Sequence, residues 1–209
     1  MKNLSTRRAL ARFALVAAAS IAAASLWAQN RPEQGLLIDA TTWQEEVATA
    51  STGPWPDRGW YRLVATGDGV EVKAVKPADR DSIPADAVFF RLPGTELKTG
   101  TRASWRHLEV LRPRADRDHQ LALGRRFTLE VAEVDAGVQY AIGYGGRSYR
   151  YLLGPHGAST SVRAVADVDG DGRPDFLVDV EGQATYLLLS TKAQPGLNLP
   201  TAEMPADGC

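Results

Sequence analysis

The sequence predicts a mostly β fold, an antiparallel sandwich or barrel, with one short N-terminal helix and one strand–loop–strand insert. Three observations predict it. From Trp60 onward, apolar and polar residues alternate at period two in short runs, as half-buried strands require. Turn residues punctuate these runs at short intervals, the spacing expected of a sandwich or barrel. Between residues 138–144 and 147–153 stand Gly145 and Gly146, whose tolerance of positive φ suits a two-residue hairpin turn. With 209 residues, 44% apolar and 23% charged, the chain can bury one full core without disulfide staples.

Residues 1–28 read as a signal peptide rather than as part of that core. Lys2, Arg7, Arg8 and Arg12 form a basic start with no acidic residue, and 13–28 is an Ala-rich apolar run. The run is shorter than a spanning helix needs, so no stable membrane insertion is expected after cleavage. Cleavage is placed after Ala28, or else after Ser25. Arg7-Arg8 loosely matches a twin-arginine export signal, and the general secretory route is the alternative. The expected location is therefore the periplasm or the exterior. Loss of four leader cations moves the net charge from −1 to about −5. A mildly acidic protein of this kind is not expected to bind nucleic acid. Cys209 is the single cysteine, so no intramolecular disulfide can form, and pairing between chains through Cys209 stays open.

Residues 29–59 form an N-terminal segment of short helix and turns. Thr42-Trp43-Gln44-Glu45 has the spacing of a capping box and predicts a helix to about Ala50. Pro54 and Pro56 then exclude regular structure. The β domain is expected over 60–193, with strands at 60–64, 70–75, 88–92, 105–111, 127–134, 138–144, 147–153, 161–166, 175–180 and 184–189. Residues 194–209, with Pro195, Pro200 and Pro205, read as a flexible, Pro-rich tail.

The sharpest chemical signal is Asp167-Val168-Asp169-Gly170-Asp171-Gly172-Arg173-Pro174-Asp175. Calcium takes about six to eight oxygens, and carboxylates at loop positions one, three and five converge when the chain curls round a central ion. Gly172 permits the sharp turn, the Arg173 carbonyl can point inward, and Asp175 closes the site. Without a cation these carboxylates repel one another. The expected ligands are Asp167, Asp169, Asp171, Arg173 through its backbone, and Asp175, with Ca2+ as the cofactor. Position twelve is Val178, where a helix–loop–helix hand carries glutamate, and the flanking runs are β-like.

Asp-x-Asp-Gly-Asp-Gly-x-x-Asp followed by Phe-Leu-Val resembles the calcium half of FG-GAP/VCBS-type repeats, found in integrin-like propellers and secreted bacterial proteins. The resemblance covers residues 164–180 only, and the Phe-Gly and Gly-Ala-Pro words of the full repeat are absent upstream. One copy cannot build a propeller. What the resemblance implies is the metal ligands and an extracellular setting, with no catalytic residue.

Other features are weaker. The hairpin 140–151 is rich in tyrosine and arginine, which suits either stacking on sugar rings or cross-strand packing, and packing is the expectation. Arginines over 102–126 are diluted by Glu109, Asp116 and Asp118. His107, His119 and His156 lack zinc spacing, and neither a nucleophile elbow nor a phosphate loop is present. Carboxylate pairs assembled in space leave a secreted hydrolase of polysaccharide or ester as an alternative. A structural envelope protein is another. The expected function is an exported calcium-binding β module, calcium serving structure, whose partner is a cell-surface glycan or protein.

Overall fold

The computed structural model describes residues 34–49, 55–67, 69–79, 82–105, 118–122 and 127–205. The expected leader with its twin arginines, all but Trp105 of the strand expected over 105–111, His107, most of the arginine-rich stretch and Cys209 lie outside the described residues. Among the described residues fourteen strands follow in the order β1 (Gly35–Asp39), β2 (Trp60–Ala65), β3 (Gly69–Val75), β4 (Val88–Arg91), β5 (Gly100–Ala103), β6 (His119–Ala122), β7 (Phe127–Val134), β8 (Gly137–Tyr144), β9 (Arg147–Gly154), β10 (Thr160–Ala166), β11 (Asp175–Val180), β12 (Ala184–Leu188), β13 (Gly196–Asn198) and β14 (Ala202–Pro205). A short helix α1 runs from an α-turn, Ala40–Thr42, into a π-turn, Trp43–Val47.

Nine strands form one sheet in the order β10-β11-β12-β14-β1-β4-β2-β3-β5, and a bridge from Ser104 to Ala166 brings its ends together as a nearly closed barrel. The second sheet, β13-β9-β8-β7-β6, has five strands. The mostly β expectation of a sandwich or barrel holds, and the protein combines both: a barrel with a sheet packed on one side. Alternation decides which residue goes where. Leu37, Tyr61, Leu63, Val70, Val72, Val88, Phe90, Leu177 and Leu187 fill the barrel. Leu129, Val131, Tyr140, Ile142 and Tyr151 of the second sheet pack against Val162, Val165, Phe176, Val178 and Leu188 on the barrel's outer face. Each such burial contributes about 1.5–3 kcal/mol before the entropy of ordering is subtracted. A register shift in β10 between Val162 and Ala164 lets both even-numbered residues be buried on opposite faces.

The helix starts earlier than its capping-box reading. Asp39, the last residue of β1, accepts from the Thr42 amide at 2.7 Å and is the cap; Thr42 makes no side-chain cap bond. Trp43 fixes the helix to the outside of the barrel, stacked on Phe89 at 4.2 Å and edge-on to Trp60 at 5.4 Å.

Both ends of the expected β domain are corrected. Leu36-Leu37-Ile38 lies in β1, inside the segment read as helix and turns. Residues 194–205 hold β13 and β14 instead of a free tail, and β14 inserts between β12 and β1, antiparallel to the first and parallel to the second. Prolines obscured this, although Pro195 and Pro200 fall outside these strands and Pro205 is only the last residue of β14, positions where a missing N–H is tolerated. The β13–β9 pair is also parallel, so the sheets are not wholly antiparallel. The Gly145–Gly146 turn is as expected, with φ of 57° and 71°.

Candidate metal centre

The acidic loop 167–175 connects β10 to β11 across one end of the barrel. It is seated by Val168, which is 3% exposed and packs with the barrel interior. Gly170 and Gly172 hold φ of 78° and 79°, so the chain reverses there at positions where a side chain would be strained. Between these anchors one carboxylate oxygen each from Asp167, Asp169 and Asp175 comes within 4.8 Å of the others.

Asp175 is the most constrained of the three. At 1% exposure its Oδ2 accepts the amides of Val168 at 2.7 Å and Asp169 at 3.2 Å, and its Oδ1 accepts the Ser190 amide at 2.7 Å. Burial pushes its pKa well above the ordinary carboxylate range, the nearby Asp169 charge pushes the same way, and the three amides pull it back in part. Asp169 is also raised, first by burial; the Thr191 hydroxyl opposes this and the Asp171 charge adds to it. The Thr191 hydroxyl donates to Asp169 Oδ2.

Asp167 supplies the sign of an unmet need. Its Oδ2 accepts the Gly172 amide at 3.1 Å, while Oδ1 is shielded from solvent and has no hydrogen-bond partner among the described residues. A buried acceptor left unpaired costs about 1–3 kcal/mol, more when charged. The cluster of three carboxylates suits a hard cation, because oxygen is the donor such ions prefer.

Asp171 and Arg173 are placed differently. Asp171 Oδ1 accepts the Arg173 amide at 2.8 Å and Oδ2 accepts the Ser190 hydroxyl at 2.9 Å; the Arg173 guanidinium lies 3.5 Å from the same carboxylate. The Arg173 cation also lies 5.8 Å from the Tyr144 ring centroid, and Tyr144 stacks on Tyr149 at 4.2 Å. Of the five ligands expected, Asp167, Asp169 and Asp175 are therefore brought together, and Asp171 faces the Ser190–Lys192 turn.

That turn is the part sequence reasoning missed. Ser190 and Thr191 bind Asp175, Asp171 and Asp169 from beyond β12, and Ser-Thr-Lys carries no motif to announce it. In the aromatic hairpin, Tyr140, Tyr149 and Tyr151 are buried, as cross-strand packing predicts, so their faces are not offered to a ligand. His156 is exposed and pairs with Glu133 at 2.8 Å, while His119 lies on β6. No described helix is long and apolar enough to cross a membrane. Comparison with family models, with curated proteins and with solved structures gives no match.

Proposed function

We propose that the protein is an exported β module whose acidic loop holds one structural calcium ion, and that it works as a binding module in the periplasm or outside the cell. The observation that carries the reading is the convergence of carboxylate oxygens from Asp167, Asp169 and Asp175 within 4.8 Å of one another. Calcium is favoured over softer metals because every donor is oxygen, and over magnesium because calcium accepts irregular, water-completed shells. The Asp171 carboxylate and the Arg173 carbonyl are assigned as further ligands by the resemblance of the loop to a single FG-GAP/VCBS-type repeat. A bound cation supplies the positive charge that lets these carboxylates ionise together. The basic and Ala-rich leader supports export, and a calcium loop of moderate affinity suits calcium-rich surroundings. The partner class follows from that setting: a cell-surface glycan or protein.

Calorimetric titration of calcium into chelator-stripped protein tests the metal, run beside an Asp169→Ala/Asp171→Ala variant. Saturable uptake of one ion, lost in the variant, is expected. Absence of binding at millimolar calcium, the weak end for extracellular modules, would reduce the loop to a solvated acidic turn.

A further inference from the structure

We propose that one edge of the five-stranded sheet, carrying Leu152, Leu197 and Leu199 beside Arg147 and Arg150, docks on a bilayer surface rich in anionic phospholipid headgroups. This goes beyond the reading above and rests on neither the metal nor the partner class assigned there.

Four large apolar side chains are exposed among the described residues, and three of them gather at this edge: Leu152 at 39%, Leu197 at 67% and Leu199 at 69%. The strands put them there. Tyr149, Tyr151 and Leu153 of β9 point into the core between the sheets, so Ser148, Arg150 and Leu152 point to the outer face. β13 runs parallel to β9 with Leu197 opposite Arg150, which sets Leu197 on that same face. Continued by one residue, the register carries Leu199 to the side of Leu152.

The turn that bears these leucines is fastened. Asn198 Oδ1 accepts the Gln194 amide at 2.8 Å, and its Nδ2 donates to the carbonyls of Gln194 at 2.8 Å and Gly196 at 3.0 Å. Single exposed leucines are ordinary, but a cluster held in place keeps apolar surface in water that contact with an apolar phase would remove.

Charge selects the occupant. Arg147 and Arg150 are exposed and, like Lys192 in the turn before β13, make no ion pair among the described residues. Glu130, on the same face, stands beyond Ala141 of β8 and does not pair with Arg150. A second copy of the chain fits poorly. A stable protein interface takes about 800 Å² from each partner, and three partly exposed leucines fall well short of it. A symmetric pairing through this edge would also turn Arg150 toward its own copy. A soluble polyanion would satisfy the arginines and leave the leucines in water. A bilayer takes both, with the leucines at the acyl boundary and the guanidinium groups among the phosphates. Such contact lies in the plane of the interface and needs no spanning segment.

Vesicle flotation of the exported, purified chain tests this, run in chelator so that calcium cannot bridge carboxylates to headgroups. The chain should float with vesicles of equal parts phosphatidylglycerol and phosphatidylcholine, and stay behind with phosphatidylcholine alone. Raising salt from about 0.1 M to about 1 M shortens the Debye length from about 10 Å to about 3 Å and should release most of it. Leu197→Ser/Leu199→Ser should lower the ratio of bound to free chain at least about tenfold. Arg147→Gln/Arg150→Gln should lower it about fivefold for each arginine. Both variants should melt with the parent, because the side chains they replace are exposed. Equal flotation with both vesicles, or none with either, overturns the proposal. Flotation undiminished in the leucine variant places the contact elsewhere in the chain and overturns it too. So does a dimer in light scattering that the leucine variant dissociates, since the edge then belongs to a second copy.

Discussion

Asp175 and Asp179 lie on the same strand and the same face, at opposite ends of β11, and the chain treats them differently. Asp179 is about a third exposed, faces the Arg163 guanidinium at 3.5 Å and accepts the Thr185 hydroxyl from the next strand. Asp175 is buried, receives three backbone amides and faces other carboxylates, with no side-chain cation against it among the described residues. One end of the strand therefore carries its own counter-charge. The other holds Asp175 with amides alone and sets it beside Asp167 and Asp169, and among the described residues the loop's one ion pair, Arg173 with Asp171, does not reach it. That difference is the physical case for a metal at the loop, and it is independent of any motif.

The comparison is broken most directly at Asp175. Removing its carboxylate in Asp175→Ala strands the amides of Val168, Asp169 and Ser190 in a buried site. At about 1–3 kcal/mol for each unpaired group, with incomplete additivity, the loss should be about 4 kcal/mol. Urea unfolding in excess chelator measures this without the metal's contribution. A cost under about 1 kcal/mol would mean that the amides find water and that Asp175 is not the anchor of the loop.

Next in size is the metal itself. At free calcium about 100 times Kd, binding to the folded state alone adds about 2.7 kcal/mol, which for a domain of this size raises the melting temperature by about 5–10 °C. Asp167→Asn should abolish that increment without destabilising the protein in chelator, because it removes the unpaired charged acceptor. Asparagine keeps an oxygen for the Gly172 amide and turns the orphaned acceptor into a donor facing carboxylates. Equal melting curves in calcium and in chelator would remove the metal from the account, and a large loss in chelator for Asp167→Asn would make that residue structural instead.

These experiments fall on residues the sequence made legible to different degrees. Strands β2, β3, β4 and β7 to β12 were readable because each is a short alternating or continuous apolar run bounded by turn residues. The loop was readable because its glycines and aspartates fall at fixed offsets along a contiguous stretch. Strands β1, β13 and β14 were not: three to five residues are too few to establish a period, and the prolines around the last two imitate a tail. β5, Gly-Thr-Arg-Ala, has almost no apolar signal because its place in the barrel is held by neighbours and by the loop. For the same reason Ser190 and Thr191 could not be found: their role comes from a chain reversal after β12 that brings them to aspartates 15 to 22 residues away. Contiguous chemistry shows in a sequence, and chemistry assembled by topology does not.

A smaller effect concerns pH. Burial raises Asp175 and Asp169 above their unfolded values, so in chelator these two groups stabilise the fold fully below the ordinary carboxylate range and less as pH rises through their elevated folded values. Calcium requires both as anions and reverses the trend. The difference in melting temperature between calcium and chelator should therefore be larger at about pH 7.5 than at about pH 5. A constant difference would show that neither carboxylate takes up a proton in the metal-free protein.

The smallest expected effect tests the other end of the strand. Asp179→Ala removes a partly exposed ion pair with Arg163 and one hydroxyl bond, and solvent screening limits such pairs to about 1 kcal/mol or less. Thermal melts of this variant with and without calcium should both shift slightly, by the same amount, leaving the calcium increment intact. Because Asp179 lies four residues from Asp175 on the same face, any general sensitivity of β11 to loss of a carboxylate would appear here too. A cost comparable to that of Asp175→Ala, or a diminished calcium increment, would mean that the two ends are coupled along the strand and that the loop's demand for a cation is not local.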